Sequence, residues 1–138
     1  MIALTRCYAF PAAHALRRSD RDEAWNQRVY GKCANRAGHG HDYGLDVSVT
    51  GRVQPRSGRI AAPECIDTVV RELVLDRFGY CLLNEDPAFA TRVPTAENIV
   101  RVIHDEIEVP LLEVSGAQLV RVRLHETRRN IFSYGELR

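Results

Sequence analysis

The 138-residue chain has no CxxC pair, no long apolar run and almost no net charge. Each absence excludes a class. Cys7, Cys33, Cys65 and Cys81 are scattered, so no paired-cysteine framework is legible, and free thiols in a reducing cytoplasm are the expectation. No segment approaches the ~20 apolar residues of a membrane-spanning helix. Arg6 breaks the apolar N-terminal stretch MIALTRCYAF and no cleavage-like segment follows it, so no signal peptide is expected. A formal net charge of +1 gives no field that favours nucleic acid or a membrane surface. Arginine is abundant but interleaved with Asp and Glu. The longest like-charge runs are pairs such as Arg17-Arg18 and Arg128-Arg129. Internal repeats and low-complexity tracts are missing too.

What is present is an ordinary globular composition, 45% hydrophobic. The length suggests a single domain spanning residues 1–138. Ile2 to His14 reads as a strand with Leu4, Tyr8 and Phe10 on one face, and Pro11 points to an edge or a bulge. Arg17 to Lys32 reads as a polar connection. Gly44 to Val53 alternates Leu45, Val47 and Val49 against Asp46, Ser48 and Thr50, the pattern of a half-buried strand. Pro63 opens a helix whose buried stripe is Ile66, Val69, Val70, Leu73 and Val74, ending at Gly79. A second helix starts at Thr95, its N-cap, buries Ile99, Val102, Ile103 and Ile107, and stops at Pro110. Leu119 to Thr127 and Ile131 to Leu137 read as two more strands. The order ββααββ predicts an α+β fold: a four-stranded antiparallel sheet with two helices on one face. So small a sheet leaves open edges, which invite pairing with another subunit.

The chemistry concentrates in CANRAGHGHDY, residues 33–43. His39 and His41, two apart, point to one face if the backbone is extended. His14, at the end of the first strand, can join them across neighbouring strands about 4.8 Å apart. Three neutral imidazoles leave Zn²⁺ its full charge and an open position, the layout of a catalytic site. Cys33 is either a free thiol, a reactive group or a fourth ligand. Glu126 falls on the apolar face of the strand QLVRVRLHET and needs a partner: a structural ion pair, or a ligand edge that donates two parallel N–H bonds. His104 lies in mid-helix and reads as structural.

Taken together, FPAAH with His14, YGKCANRAGHGHDY with Cys33, His39 and His41, PTAEN with Thr95 and Glu97, and HET with Glu126 resemble the 6-pyruvoyl-tetrahydropterin and 6-carboxy-tetrahydropterin synthase family. They come in the family's order and span nearly the whole chain. The resemblance implies the tunnelling fold, assembled as a homo-oligomeric barrel, a hexamer of two trimers, with sites between subunits. It implies zinc on His14, His39 and His41, and a small-molecule pterin substrate, 7,8-dihydroneopterin triphosphate. Cys33 would be the general base; Glu126, helped by Thr95, would hold the pterin's amino-pyrimidine edge. The product is 6-pyruvoyl- or 6-carboxy-tetrahydropterin, in tetrahydrobiopterin or deazaguanine nucleoside (queuosine) synthesis.

The chain departs from this family at two points: Ala62 stands where the family has an Asp or Asn after the glycine turn, and the proton relay differs. Family members usually carry an Asp-His proton relay after the first helix. The corresponding stretch here, RFGYCLLNED, places Gly79 and Tyr80 there. The nearest acidic substitute, Asp76-Arg77, comes three residues early and lacks a histidine; Tyr80, a phenol able to donate a proton, is the catalytic candidate at the relay position, with His125 as a further one. Two alternatives stay open: a related pterin-processing enzyme with different acid/base chemistry, or a zinc- and pterin-binding protein without turnover.

Overall fold

Alternation of apolar and polar residues builds two long strands that open the chain. In the computed structural model, which describes residues 1–136, these are β1 (Ala3–His14) and β2 (His39–Thr50). They pair antiparallel in unbroken register from Ala3 opposite Thr50 to His14 opposite His39. β3 (Gln118–His125) and β4 (Ile131–Gly135) extend the antiparallel sheet in the order β1-β2-β3-β4. Of the fourth expected strand, Leu137 lies outside the described residues.

The second strand begins five residues earlier than its alternation suggests. His39 and His41 therefore lie within β2 rather than in a loop leading to it. One face carries Phe10, Ala12 and His14 from β1 with Tyr43, Leu45, Val47 and Val49 from β2, all buried. In β3 the register slips between Ser48 and Val49: Leu119 stands opposite Val49 and Arg121 opposite Ser48. Val120 is thus the extra residue of a bulge. Leu119, Val122 and Leu124 are buried as a result, and Val120 is only half-buried.

Two helical stretches cover this face. The first runs α2 (Pro63–Val70), a π-helical segment (Arg71–Leu75) and α3 (Asp76–Phe78) as one continuous rod. The wider π turn changes the phase of the stripe, so Val74 and Phe78 are buried and Leu73 is half-buried. The second is α4 (Ala96–Ser115), with Thr95 as N-cap. Pro110 does not stop it, contrary to the expectation. One lost backbone bond is outweighed by continued burial, since Ile107 and Leu111 on either side of the proline are fully buried. The helix ends at Gly116, whose left-handed φ of 71° lets its N–H reach Leu112 O.

The Arg17–Lys32 connection is not irregular. It holds α1 (Glu23–Tyr30), capped by Asp22, which accepts from Trp25 N at 2.7 Å, and then a 3₁₀ turn, Gly31–Ala34. Asn26, fully buried, braces this excursion: its Oδ1 accepts from Arg18 N and its Nδ2 donates to Arg18 O.

Pro11 does sit on an edge. Residues 80–82 lie along the outer side of β1, with Tyr80 N donating to Pro11 O at 2.6 Å and Ala13 N donating to Cys81 O at 2.9 Å. A strand residue's N–H and C=O point the same way, so the N–H that Pro11 lacks would face this edge and is no loss to the β1–β2 ladder.

Candidate functional site

The register of β1 and β2 sets three imidazoles side by side on the helix-facing side of the sheet. His14 stands opposite His39, and Ala12 opposite His41. Ring centroids are 4.6 Å (His14–His39), 5.1 Å (His14–His41) and 4.8 Å (His39–His41) apart. One ring nitrogen from each converges, all within 4.8 Å of one another.

The hydrogen bonds around them decide which nitrogens are free. His14 Nδ1 lies 2.7 Å from Pro94 O, an acceptor only, so this nitrogen carries the proton and Nε2 keeps its lone pair. That Nε2 is 3.1 Å from His39 Nε2. His41 Nε2 is buried with no hydrogen-bond partner among the described residues. Burial, aided by the neighbouring His39 and His41, pushes the His14 pKa down to about 4; burial likewise lowers that of His41, against the opposing charge of Glu126. These two rings are therefore neutral near neutrality, the form that ligates metal. A buried, orphaned imidazole nitrogen beside two others is costly unless something occupies the gap. Three nitrogen donors at this spacing fit a divalent ion of borderline softness such as Zn²⁺.

The other expected site residues fall around this trio. Cys33 lies in the 3₁₀ turn, where its carbonyl accepts from Leu16 N at 2.8 Å, two residues beyond His14. It is not part of the converging set, so the fourth-ligand alternative finds no support among the described residues. Glu126 follows β3 directly, its N–H bonded to Asn130 O at 3.1 Å. Its negative charge partly offsets the lowering that burial causes at His41 and adds to the rise that burial causes at Tyr43, so the carboxylate lies on the histidine side of the sheet. It makes no side-chain ion pair among the described residues. Thr95 adjoins Pro94, and its Oγ1 accepts from Asn98 N at 3.3 Å as the cap of α4.

Tyr80 is 92% exposed, at a left-handed φ of 61°. It shares an open cleft of about 480 Å³ with His41, Asp42, Cys81 and Leu82. The turn has a reason: a Cβ on Gly79 would stand 2.5 Å from Leu75 O, so only glycine fits there. Gly79 itself is extended, and the left-handed conformation falls on Tyr80. A second cleft, about 830 Å³, brings together Arg17, Arg18, Arg21, Arg36, Arg92 and Thr95.

The remaining histidines lie elsewhere. His125 bonds Asp46 at 2.9 Å on the open face of the sheet, and the ring of His104 packs edge-on against Tyr134. Two participants were not singled out in the sequence. Tyr43, fully buried, brings its hydroxyl to 3.4 Å from His14 Nδ1. It continues the His39–His41 alternation by one step, a signal that was available. Pro94 acts through its backbone carbonyl, which leaves no trace in residue type.

Comparison with known proteins agrees with this geometry. A family model described as 6-pyruvoyl tetrahydropterin synthase matches residues 3–136. The chain is 33% identical to a Drosophila melanogaster 6-pyruvoyl tetrahydrobiopterin synthase over 132 residues, 95% of this chain and 77% of the fly protein. It is 31% identical to the Homo sapiens protein of that name, covering 95% of this chain and 89% of the human one. The solved structure of Caenorhabditis elegans 6-pyruvoyl tetrahydropterin synthase superposes with a TM-score of 0.87 at 32% identity, over 99% of this chain and 96% of the other. The sheet order, the covering helices and these matches show that the chain belongs to the 6-pyruvoyl tetrahydropterin synthase family.

Proposed function

We infer that this member of a family of lyases acting on small pterins is a zinc-dependent enzyme, converting 7,8-dihydroneopterin triphosphate to 6-pyruvoyl- or 6-carboxy-tetrahydropterin. The observation that carries this reading is the His14, His39 and His41 trio, with its nitrogens within 4.8 Å and His41 Nε2 buried and unpartnered. A zinc ion on these residues would stabilise enolate-like charge on the oxygens it binds and so make the neighbouring C–H bonds acidic.

The chain's own groups supply the rest. Pro94 O fixes the His14 ring, so that Nε2 faces the site. Glu126 offers two acceptor oxygens to an amide–amine edge, a bidentate, charge-assisted pairing. Thr95 adds a hydroxyl at the rim. Cys33, whose backbone is linked to Leu16 two residues beyond His14, would be the thiol that takes and returns the proton. The cleft holding Arg17, Arg18 and Arg92 offers guanidinium groups to the triphosphate. In an assembled ring, the edge of β4 and the edge of β1 before Pro11, beyond which residues 80–82 cover it, would pair between subunits. A cytoplasmic homo-oligomer, a hexamer of two trimers, is the assembly this reading carries. No helix among the described residues is long and apolar enough to cross a membrane.

One observation favours a second reading. The Gly79–Tyr80 turn replaces the relay that the resemblance implies, and the Tyr80 side chain points to solvent. A pterin-processing enzyme with different acid/base chemistry fits that turn, as does a binder without turnover. Mass spectrometry after incubating the zinc-loaded protein with 7,8-dihydroneopterin triphosphate separates them. A 6-pyruvoyl or 6-carboxy product, absent for Cys33→Ala, supports the lyase; bound but unchanged substrate supports the second reading.

A further inference from the structure

Asn84 stands outside the set of residues given a role above, yet its side chain is committed to one backbone unit. Its Oδ1 accepts from Ala15 N at 2.8 Å and its Nδ2 donates to Ala15 O at 2.8 Å. The amide thus imitates a strand backbone and takes both hydrogen-bonding groups of one residue. Ala15 is 4% exposed, so both of its groups would be unsatisfied without this partner.

The position of Ala15 gives the clamp its meaning. On one side it follows His14 directly. On the other it precedes Leu16, whose N–H donates to Cys33 O at 2.8 Å. Arg17 reinforces the same link, with Nη1 donating to Ala34 O. Upstream, Ala13 N bonds Cys81 O and Ala13 bridges Leu82, so residues 81–84 run along the outer side of β1 beyond the last rung that Cys81 supplies. The inner side of the same stretch is tight, because a Cβ on Gly38 would lie 3.0 Å from His14 O. Between the Cys81 rung at Ala13 and the Leu16–Cys33 link, the one backbone unit that joins His14 to the Cys33 span is therefore held from outside by the Asn84 amide.

We propose that Asn84 is a positioning residue that sets the placement of His14 in the imidazole trio and of Cys33 relative to it. The metal half of this proposal rests on the reading that His14, His39 and His41 hold an ion; the Cys33 half does not. Residues orienting a ligand from behind typically govern roughly 10–100-fold in metal affinity.

The test compares the full-length wild-type chain with Asn84→Ala, Asn84→Asp and Asp67→Asn. Asp67→Asn is the control: it removes the ion pair and the Oδ2 acceptor for Arg6 Nη2 on the far part of β1 and lowers stability without touching the site. Three quantities are read: thermal unfolding, Co²⁺ affinity with the visible ligand-field spectrum, and the alkylation rate of Cys33 resolved by peptide mass spectrometry. Asn84→Ala should remain folded, bind Co²⁺ at least tenfold more weakly with an altered spectrum, and change Cys33 alkylation several-fold. Asn84→Asp keeps the acceptor for Ala15 N but sets a carboxylate oxygen against Ala15 O, so its effect should be intermediate. Asp67→Asn should unfold at lower temperature with metal affinity, spectrum and Cys33 reactivity unchanged. If Asn84→Ala fails to fold, Asn84→Asp decides. A wild-type chain that binds no Co²⁺ would overturn the metal reading, and Cys33 reactivity would then decide the role of Asn84 alone. Folded Asn84 variants with wild-type cobalt spectrum and wild-type Cys33 reactivity would overturn the proposal.

Discussion

His14 and His39 face each other across the β1–β2 ladder with their Nε2 atoms 3.1 Å apart. His14 already gives its Nδ1 proton to Pro94 O, so its neutral ring brings a lone pair to that meeting point. His41 adds a buried nitrogen with no partner. A cation among the three resolves all of this at once.

The metal should therefore depend on each ring. His14→Ala and His41→Ala are expected to lose bound zinc, read by elemental analysis of purified protein, where the wild type holds about one ion per chain. Zinc retained at wild-type stoichiometry in both variants would show that the trio is not the site.

Acid should destabilise the metal-free chain early. The folded pKa of His14 lies near 4, below the ordinary value of 6.5, chiefly through burial. The unfolded chain thus binds a proton that the folded chain refuses between those values. The associated stability is complete above pH 6.5 and declines as pH falls toward 4, by roughly 3 kcal/mol for this ring. His41, also lowered, adds to the same slope. Urea unfolding across this range checks the claim. A His14→Asn variant should show a shallower dependence; an identical slope would assign the effect to other groups.

Gly79 should tolerate no side chain. A Cβ there meets Leu75 O at 2.5 Å, and backbone cannot swing aside as a side chain can. Gly79→Ala is expected to cost roughly 1–3 kcal/mol by thermal or denaturant unfolding. The same clash predicts that putting Asp-His at 79–80 displaces the turn rather than restoring a relay. Full stability in Gly79→Ala would show that the turn moves freely.

Glu126 should matter for ligand more than for fold. Its carboxylate sits on the histidine side without an ion-pair partner among the described residues, and its charge reaches His41 and Tyr43. Glu126→Gln is expected to weaken pterin binding by roughly 1.5–3 kcal/mol, the range for hydrogen bonds to charged groups, with little change in unfolding temperature. Calorimetric titration with a pterin measures the first quantity. Unchanged affinity would make Glu126 structural.

The legibility of this chain followed the reach of its signals. Period-two alternation exposed β2 and most of β3, and the i, i+2 spacing of His39 and His41 named two members of the trio before any fold was known. The bulge at Val120 broke that rule locally, because one inserted residue moves every later side chain to the other face. α1 was missed because its sequence, EAWNQRVY, has too few apolar residues to mark a stripe; it is held by the Asp22 cap and the buried Asn26 amide. Pro110 gave a true local signal that tertiary burial overrode. Asn84 gave none, since it acts on a backbone unit 69 residues away.

The most direct measurement is metal removal and restoration during turnover. Chelated protein is mixed with 7,8-dihydroneopterin triphosphate, zinc is returned, and release of triphosphate and appearance of a 6-pyruvoyl or 6-carboxy product are followed together. The account predicts no product without metal, recovery on adding zinc, and no recovery for His41→Ala or Cys33→Ala. Product formed at an undiminished rate by the chelated protein would contradict it.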